Sequence, residues 1–207
     1  MARVTAPLFS FDASGSIAKS IVFSRWKGRS YVRRHAIPSN PRSQLQTSVR
    51  AMMSFLARQW EDLGGTPQGT WLEPSANGNI SPFNAFIREN QLRWSEMKSP
   101  TDSYPAAEAS AAPGKPTVSP TGGVHNASLS IADGSPAPGW GYLILRNIGS
   151  PGTLIYDLLI AVLAATASPT LVNDSPLAPA TYYYMAVPFN LDGVIGTPSD
   201  WEEVTVT

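Results

Sequence analysis

The sequence predicts an α+β N-terminal region followed by an all-β sandwich, on three observations. Apolar residues recur at i, i+3 and i+4 between residues 45 and 63 and again between 83 and 97, the period of amphipathic helices. From residue 127 onward they fall into short β-branched and aromatic runs parted by Asp133-Gly134, 149–152, 173–179 and Asp192-Gly193, the punctuation of antiparallel strands in a small sandwich. Between the two lies SPTDSYPAAEASAAPGKPTVSP, residues 99–120, where Pro, Ala and Ser dominate and the apolar period vanishes; this reads as a linker. The expected organisation is a basic domain at 1–98, a linker at 99–114 and a β-sandwich at 115–207.

Ser16 to Ser24 and Gly28 to His35 read as two strands joined around Trp26-Lys27-Gly28, a β-hairpin. Pro38 and Asn40-Pro41 stop it, because the residue before proline is pushed away from helix. Ser43 then opens a helix with Leu45, Val49, Met52, Met53, Leu56, Trp60 and Leu63 on its apolar stripe, ended by Gly64-Gly65. A second helix starts at Ser81-Pro82, an N-cap followed by proline at the first helical position, and runs to about Met97. GGTPQGTWLEPSANGN between them is turn-rich, with Trp71-Leu72 as its apolar anchor. Expected strands in the last region are 127–131, 140–147, 152–162, 170–172, 181–189 and 204–207. Residues 154–166, LIYDLLIAVLAAT, read equally as strand or short helix.

Net charge is zero, but residues 1–98 carry thirteen Lys/Arg against six Asp/Glu and residues 99–207 two against nine, which is +7 followed by −7. Opposite poles on identical copies favour head-to-tail association. With no cysteine, disulfides and thiolate chemistry drop out, and two histidines do not furnish a zinc site. The N-terminus lacks the charged and apolar regions of a secretory signal. The run at 154–166 falls short of the ~20 residues that span a bilayer, so a soluble protein with no membrane partner is expected. Ser14-Gly15-Ser16 is not a nucleophile elbow. His35 and His125 read as surface residues, and the Asp-Gly pairs as turns. No catalytic residue, cofactor or metal is therefore expected.

The candidate site is the basic segment Arg25, Lys27, Arg29, Arg33, Arg34 and Arg42, interleaved with Trp26 and Tyr31 and free of acids. Such a strip contacts phosphates, with aromatics stacking on bases, or pairs with carboxylates at a protein interface. The interface reading is preferred, because no recognised nucleic-acid fold accompanies the segment. Trp26 reads as a packing anchor beside the turn glycine, and Trp60 and Trp94 as core. A sugar-binding reading needs exposed aromatics in a groove.

Two resemblances extend this. Leu177-x-Pro179-x-Thr181-x-Tyr183-x-x-x-Val187, followed by Asn190 and Asp192-Gly193, resembles the entry to strand F of a fibronectin type III domain, an immunoglobulin-like sandwich. The resemblance implies that Tyr183 is the corner tyrosine tied to upstream backbone, with Leu177 and Val187 pointing inward. The set 15–23 (GSIAKSIVF), Trp26-Lys27-Gly28, Tyr31-Val32-Arg33, Asn40-Pro41-Arg42 and Pro82–Asn90 (PFNAFIREN) resembles a family of small virion proteins of tailed bacteriophages and prophages, with Ser43 where the family often has threonine. It implies a non-enzymatic structural protein, capsid-decorating or head-tail accessory, assembled in the bacterial host cytoplasm. Its partners would be major capsid, portal or tail subunits, and it would be multimeric on the particle. A nucleic-acid-associated protein inside the head and a carbohydrate-binding adhesin module are the alternatives.

Overall fold

The computed structural model describes residues 2–3, 15–17, 20–36 and 43–207. The chain divides into two compact units at 1–41 and 42–207, not at the expected linker. Unit 1 is an antiparallel sheet of β1 (Ala2–Arg3), β2 (Gly15–Ile17), β3 (Ile21–Trp26) and β4 (Arg29–Arg34), in the order β1-β4-β3-β2. Lys27 and Gly28 join β3 to β4 with φ of 48° and 76°, the two-residue turn with both central residues left-handed that matches the twist of a hairpin. The expected strand 16–24 is two strands. Ser20 N–H donates to Ile17 O at 2.9 Å, reversing the chain so that Ile17 pairs with Ile21.

Unit 2 holds the helices and all remaining strands. The helices are α1 (Gln44–Asp62), α2 (Gly65–Thr70), α3 (Leu72–Gly78) and α4 (Pro82–Ser95). Ser43 Oγ accepts the Gln46 N–H and Ser81 Oγ the Asn84 N–H, the two caps read from sequence. The strands are β5 (Thr117–Gly123), β6 (Asn126–Ala132), β7 (Gly141–Ile148), β8 (Leu159–Ala164), β9 (Thr170–Asp174), β10 (Ala180–Phe189) and β11 (Glu202–Val206), in sheets ordered β5-β6-β9 and β11-β10-β7-β8. β5 was hidden in the supposed linker by Pro120. It is an edge strand, where a missing N–H is tolerated. At Gly122 it passes so close to β11 that a Cβ would collide with the Thr205 carbonyl. The ambiguous run 154–166 resolves into a 3₁₀ turn at Tyr156–Leu158 followed by β8.

The central strands of this four-stranded sheet, β7 and β10, bury residues on both faces. Alternate residues of a strand point to opposite sides. Tyr142 and Ile144 of β7, with Tyr182, Tyr184 and Ala186 of β10, meet Leu129, Ile131 and Val118 of the smaller sheet. Leu143, Leu145, Met185, Val187 and Phe189 point the other way, into a core shared with Met52, Phe55, Leu56 and Phe86 of the helices. Phe55 packs on Trp140 and Phe189 at ring centroid distances of 5.3 and 5.7 Å. The Trp140 indole donates to Gln59 at 2.6 Å. The helices are thus a third layer of the sandwich. This is why the expected boundary between residues 98 and 115 does not separate domains: cutting there would expose one core on both pieces.

Residues 99–114 form a strap pinned to both layers. Buried Asn90 donates to Thr101 O at 3.1 Å and accepts the Thr101 N–H at 2.7 Å. Arg93 spreads its guanidinium over Ser99 O, the Glu108 carboxylate and Gly193 O, all within 3.0 Å. That hydrogen bond and charge hold the Glu108 carboxyl below its ordinary value. The Trp71 indole donates to Asp102 O at 2.8 Å, and Asn190 reaches Ser110 and Ala111. Proline and alanine removed the apolar period, but backbone hydrogen bonding holds the segment.

Three residues singled out as structural divide. Leu177 is buried against the smaller sheet and Val187 against the helices, so both point inward but into different cores. Tyr183 is not the tyrosine that ties back to upstream backbone; its hydroxyl donates to Glu203 at 2.7 Å, on an exposed edge. The residue that does so is buried Tyr182, whose hydroxyl donates to Ala178 O at 2.9 Å. In the run Tyr182-Tyr183-Tyr184 a one-residue error in register selects the wrong face.

Two outcomes follow from this packing. Leu143→Ala and Ile144→Ala should each lower the free energy of unfolding by about 2–5 kcal/mol in urea titrations; were the helix-side face solvated, Leu143→Ala would cost little. Tyr182→Phe should cost about 1 kcal/mol and Tyr183→Phe less than about 0.5 kcal/mol, measured in the same way.

Candidate interaction surface

The sheet of unit 1 carries the basic segment, and its register sorts the side chains. Ser24 pairs with Tyr31, Val22 with Arg33 and Trp26 with Arg29, which gathers Trp26, Arg29, Tyr31 and Arg33 on one face together with Val22 and Ser24. Phe23 pairs with Val32, Ile21 with Arg34 and Arg25 with Ser30, and Ile17 pairs with Ile21. The second face therefore gathers Ile17, Ile21, Phe23 and Val32 with Arg25, Ser30 and Arg34. The eight residues read as one strip are not one surface. Arg25 and Arg34 face away from Arg29 and Arg33, Lys27 sits in the turn, and Arg42 lies outside the described residues.

Trp26 is 67% exposed and so is not a packing anchor. The Lys27 ammonium lies 4.8 Å from the centre of its ring, a cation–π contact. Lys27 holds this place at a left-handed backbone angle that costs a non-glycine residue about 1–2 kcal/mol. Among the described residues, the guanidiniums of Arg29, Arg33 and Arg34 meet no carboxylate. None of residues 15–17 and 20–36 of unit 1 is fully buried. His35 is half-buried rather than at the surface, and its Nδ1 is enclosed without a partner among the described residues. His125 is exposed in a left-handed turn, with Nδ1 3.0 Å from Leu177 O.

Charge divides with the units. Residues 1–41 hold seven Lys/Arg and one Asp, a net of +6, and residues 42–207 hold eight Lys/Arg and fourteen Asp/Glu, a net of −6. Several acids of unit 2 are engaged. Asp174 accepts from Arg146 at 2.6 Å and from the Tyr184 hydroxyl at 2.8 Å, and Asp133 from the Tyr142 hydroxyl at 2.6 Å. Burial first, then these carboxylates, push both tyrosine hydroxyls above their ordinary value. Asp102 is also pushed up by burial, with Asp192 adding to it against the hydrogen bond of Ser103.

Elsewhere on unit 2, a depression of about 330 Å³ on the outer face of β5-β6-β9 is lined by serine, threonine and asparagine with Leu171. Exposed aromatics, which a sugar groove needs, are not among its lining residues. Among the described residues, no group of three or more His, Asp or Glu is placed to hold a metal ion, and no helix is long and apolar enough to cross a membrane.

Sequence reasoning missed one surface. On α1 the buried stripe is Ser48, Met52, Phe55 and Leu56, with Ser48 Oγ accepting the Trp94 indole N–H at 3.0 Å. Leu45, Val49 and Met53, expected in the core, are 47%, 49% and 40% exposed. The helix has two apolar stripes, and the polar Ser48 in the buried one hid which of them faces inward. Comparison with protein-family models and with curated proteins finds no match to this chain.

The turn geometry sets an expected outcome. Lys27→Asn, which tolerates left-handed backbone, should slow amide exchange across residues 21–34, and Gly28→Ala, forced to φ of +76°, should accelerate it.

Proposed function

We propose that this chain is a non-enzymatic structural protein of a tailed-phage virion, decorating the capsid or the head-tail junction, with unit 1 as its anchor and unit 2 as the projecting body. The observation that carries the reading is the character of unit 1: a compact basic sheet with none of residues 15–17 and 20–36 fully buried and one face presenting Trp26, Arg29, Tyr31 and Arg33. A sheet whose residues 15–17 and 20–36 are at most half-buried gains stability by being covered. Arginine and aromatic side chains are enriched where protein surfaces meet. Carboxylates on capsid, portal or tail subunits would pair with the guanidiniums in forked geometry, and many copies on one particle would add their weak contacts by multivalency.

The phage-like motifs acquire physical roles consistent with this reading. Trp26-Lys27-Gly28 makes the hairpin turn, and Phe86 and Asn90 of the Pro82–Asn90 motif hold the helix layer and the strap. The body is read as a fibronectin type III-like module, supported by seven strands in sheets of three and four and by a corner tyrosine near the start of the sixth. The apolar run at β8, which fits that module poorly, is accounted for by the helices covering its outer face.

Exposed Trp26 beside Arg29 and Arg33 favours one second reading, a nucleic-acid face inside the head, since bases stack on exposed indoles. Two measurements separate the readings. The chain should be found by mass spectrometry in purified particles of the phage or prophage that encodes it, and Arg29→Glu/Arg33→Glu should reduce its copy number there. Absence from particles despite expression in the host would overturn the virion reading. Micromolar or tighter binding of the full chain to DNA at physiological salt would replace the protein-facing anchor by the nucleic-acid one.

A further inference from the structure

The second face of unit 1 and the second stripe of α1 both carry exposed apolar residues. Ile17 and Ile21 are 46% and 42% exposed, beside half-buried Phe23 and Val32. On unit 2, Leu45, Val49 and Met53 stand at successive i+4 positions along one side of α1. Gln91 of α4 donates to Val49 O at 3.1 Å, so α4 borders the stripe there, and its Leu92 is also exposed. The two surfaces match in scale. Eight residues of helix rise about 12 Å, and three adjacent strands span about 10 Å. Contiguous exposed apolar patches on soluble chains mark interaction sites.

We propose that unit 1 of one copy docks on unit 2 of a second copy, its Ile17, Ile21, Phe23 and Val32 face against the Leu45–Val49–Met53 stripe of α1, so that the chain assembles head to tail. The net charges of +6 and −6 on the two units favour contact between unlike units. Like units repel, unlike units attract, and the neutral whole leaves no net repulsion between copies. The contact is heterologous. It propagates into a ring if the rotation closes and into a filament if it does not. It leaves the Trp26, Arg29, Tyr31 and Arg33 face free, and it does not rest on the virion reading.

The test is sedimentation velocity of the full chain across a wide concentration range, with Ile21→Asp as the head variant and Val49→Asp as the tail variant. Wild type should form oligomers, and each variant alone should weaken association at least about tenfold with an unchanged circular dichroism spectrum. Mixed in equal amounts, the two variants should form a dimer that grows no further, because one intact head meets one intact tail. A wild type that stays monomeric throughout would overturn the proposal, as would a Val49→Asp chain that associates normally or a mixture that stays monomeric. If Val49→Asp alters the spectrum, Met53→Lys takes its place at the same stripe with the same expected outcomes. Self-association retained by a chain absent from particles sinks the virion reading alone; incorporation of a chain that stays monomeric sinks this one alone.

Discussion

The structure of unit 2 depends on two central strands that bury side chains on both faces of their sheet. β7 and β10 lie at the centre of the four-stranded sheet, and their alternate residues supply two cores at once. A half-solvated antiparallel sheet spends every second residue on water and reads as alternating apolar and polar. Here GYLIL and YYYMAV have no such alternation, because Tyr142 and Ile144 serve one layer and Leu143 and Leu145 the other. Most further features of the unit follow: helices fixed to the sheet through Phe55, Trp140 and Phe189, and a helix-bearing segment that cannot be a separate domain.

A strap crosses from the last helix to the first strand of the sandwich, and its conformation is a consequence of the same layering. Arg93 and Asn90 project from α4 onto backbone carbonyls and amides of residues 99–108 and the β10–β11 turn. Charged and amide donors satisfy buried backbone groups that would otherwise cost about 1–3 kcal/mol each. Composition marks this stretch as a linker, since it holds no periodic run of large apolar residues. The groups that hold it lie on other elements, so composition carries no trace of them.

Unit 1 inverts this economy of burial. Its sheet register puts Trp26, Arg29, Tyr31 and Arg33 on one face and Ile17, Ile21, Phe23 and Val32 on the other, and none of residues 15–17 and 20–36 is fully buried. In the proposed assembly the opposite charges of the two units draw identical copies together and leave the Trp26 face open.

Local chemistry determined much of this on its own. Ser43 and Ser81 mark the helix starts because a hydroxyl must meet free amides there, Lys27-Gly28 marks the hairpin because both residues accept left-handed backbone, and Asp192-Gly193 marks the last turn. The cationic character of the first forty residues was legible as well. Facing was not. Whether Tyr182 or Tyr183 ties back to Ala178, which of the two stripes on α1 is buried, and which arginines share a face are settled by pairing partners distant in sequence. A one-residue shift in a strand, or about a hundred degrees around a helix, exchanges inside for outside without changing composition or propensity. Only the assembled layers break that degeneracy, because burying one face of each element depends on which neighbour covers it.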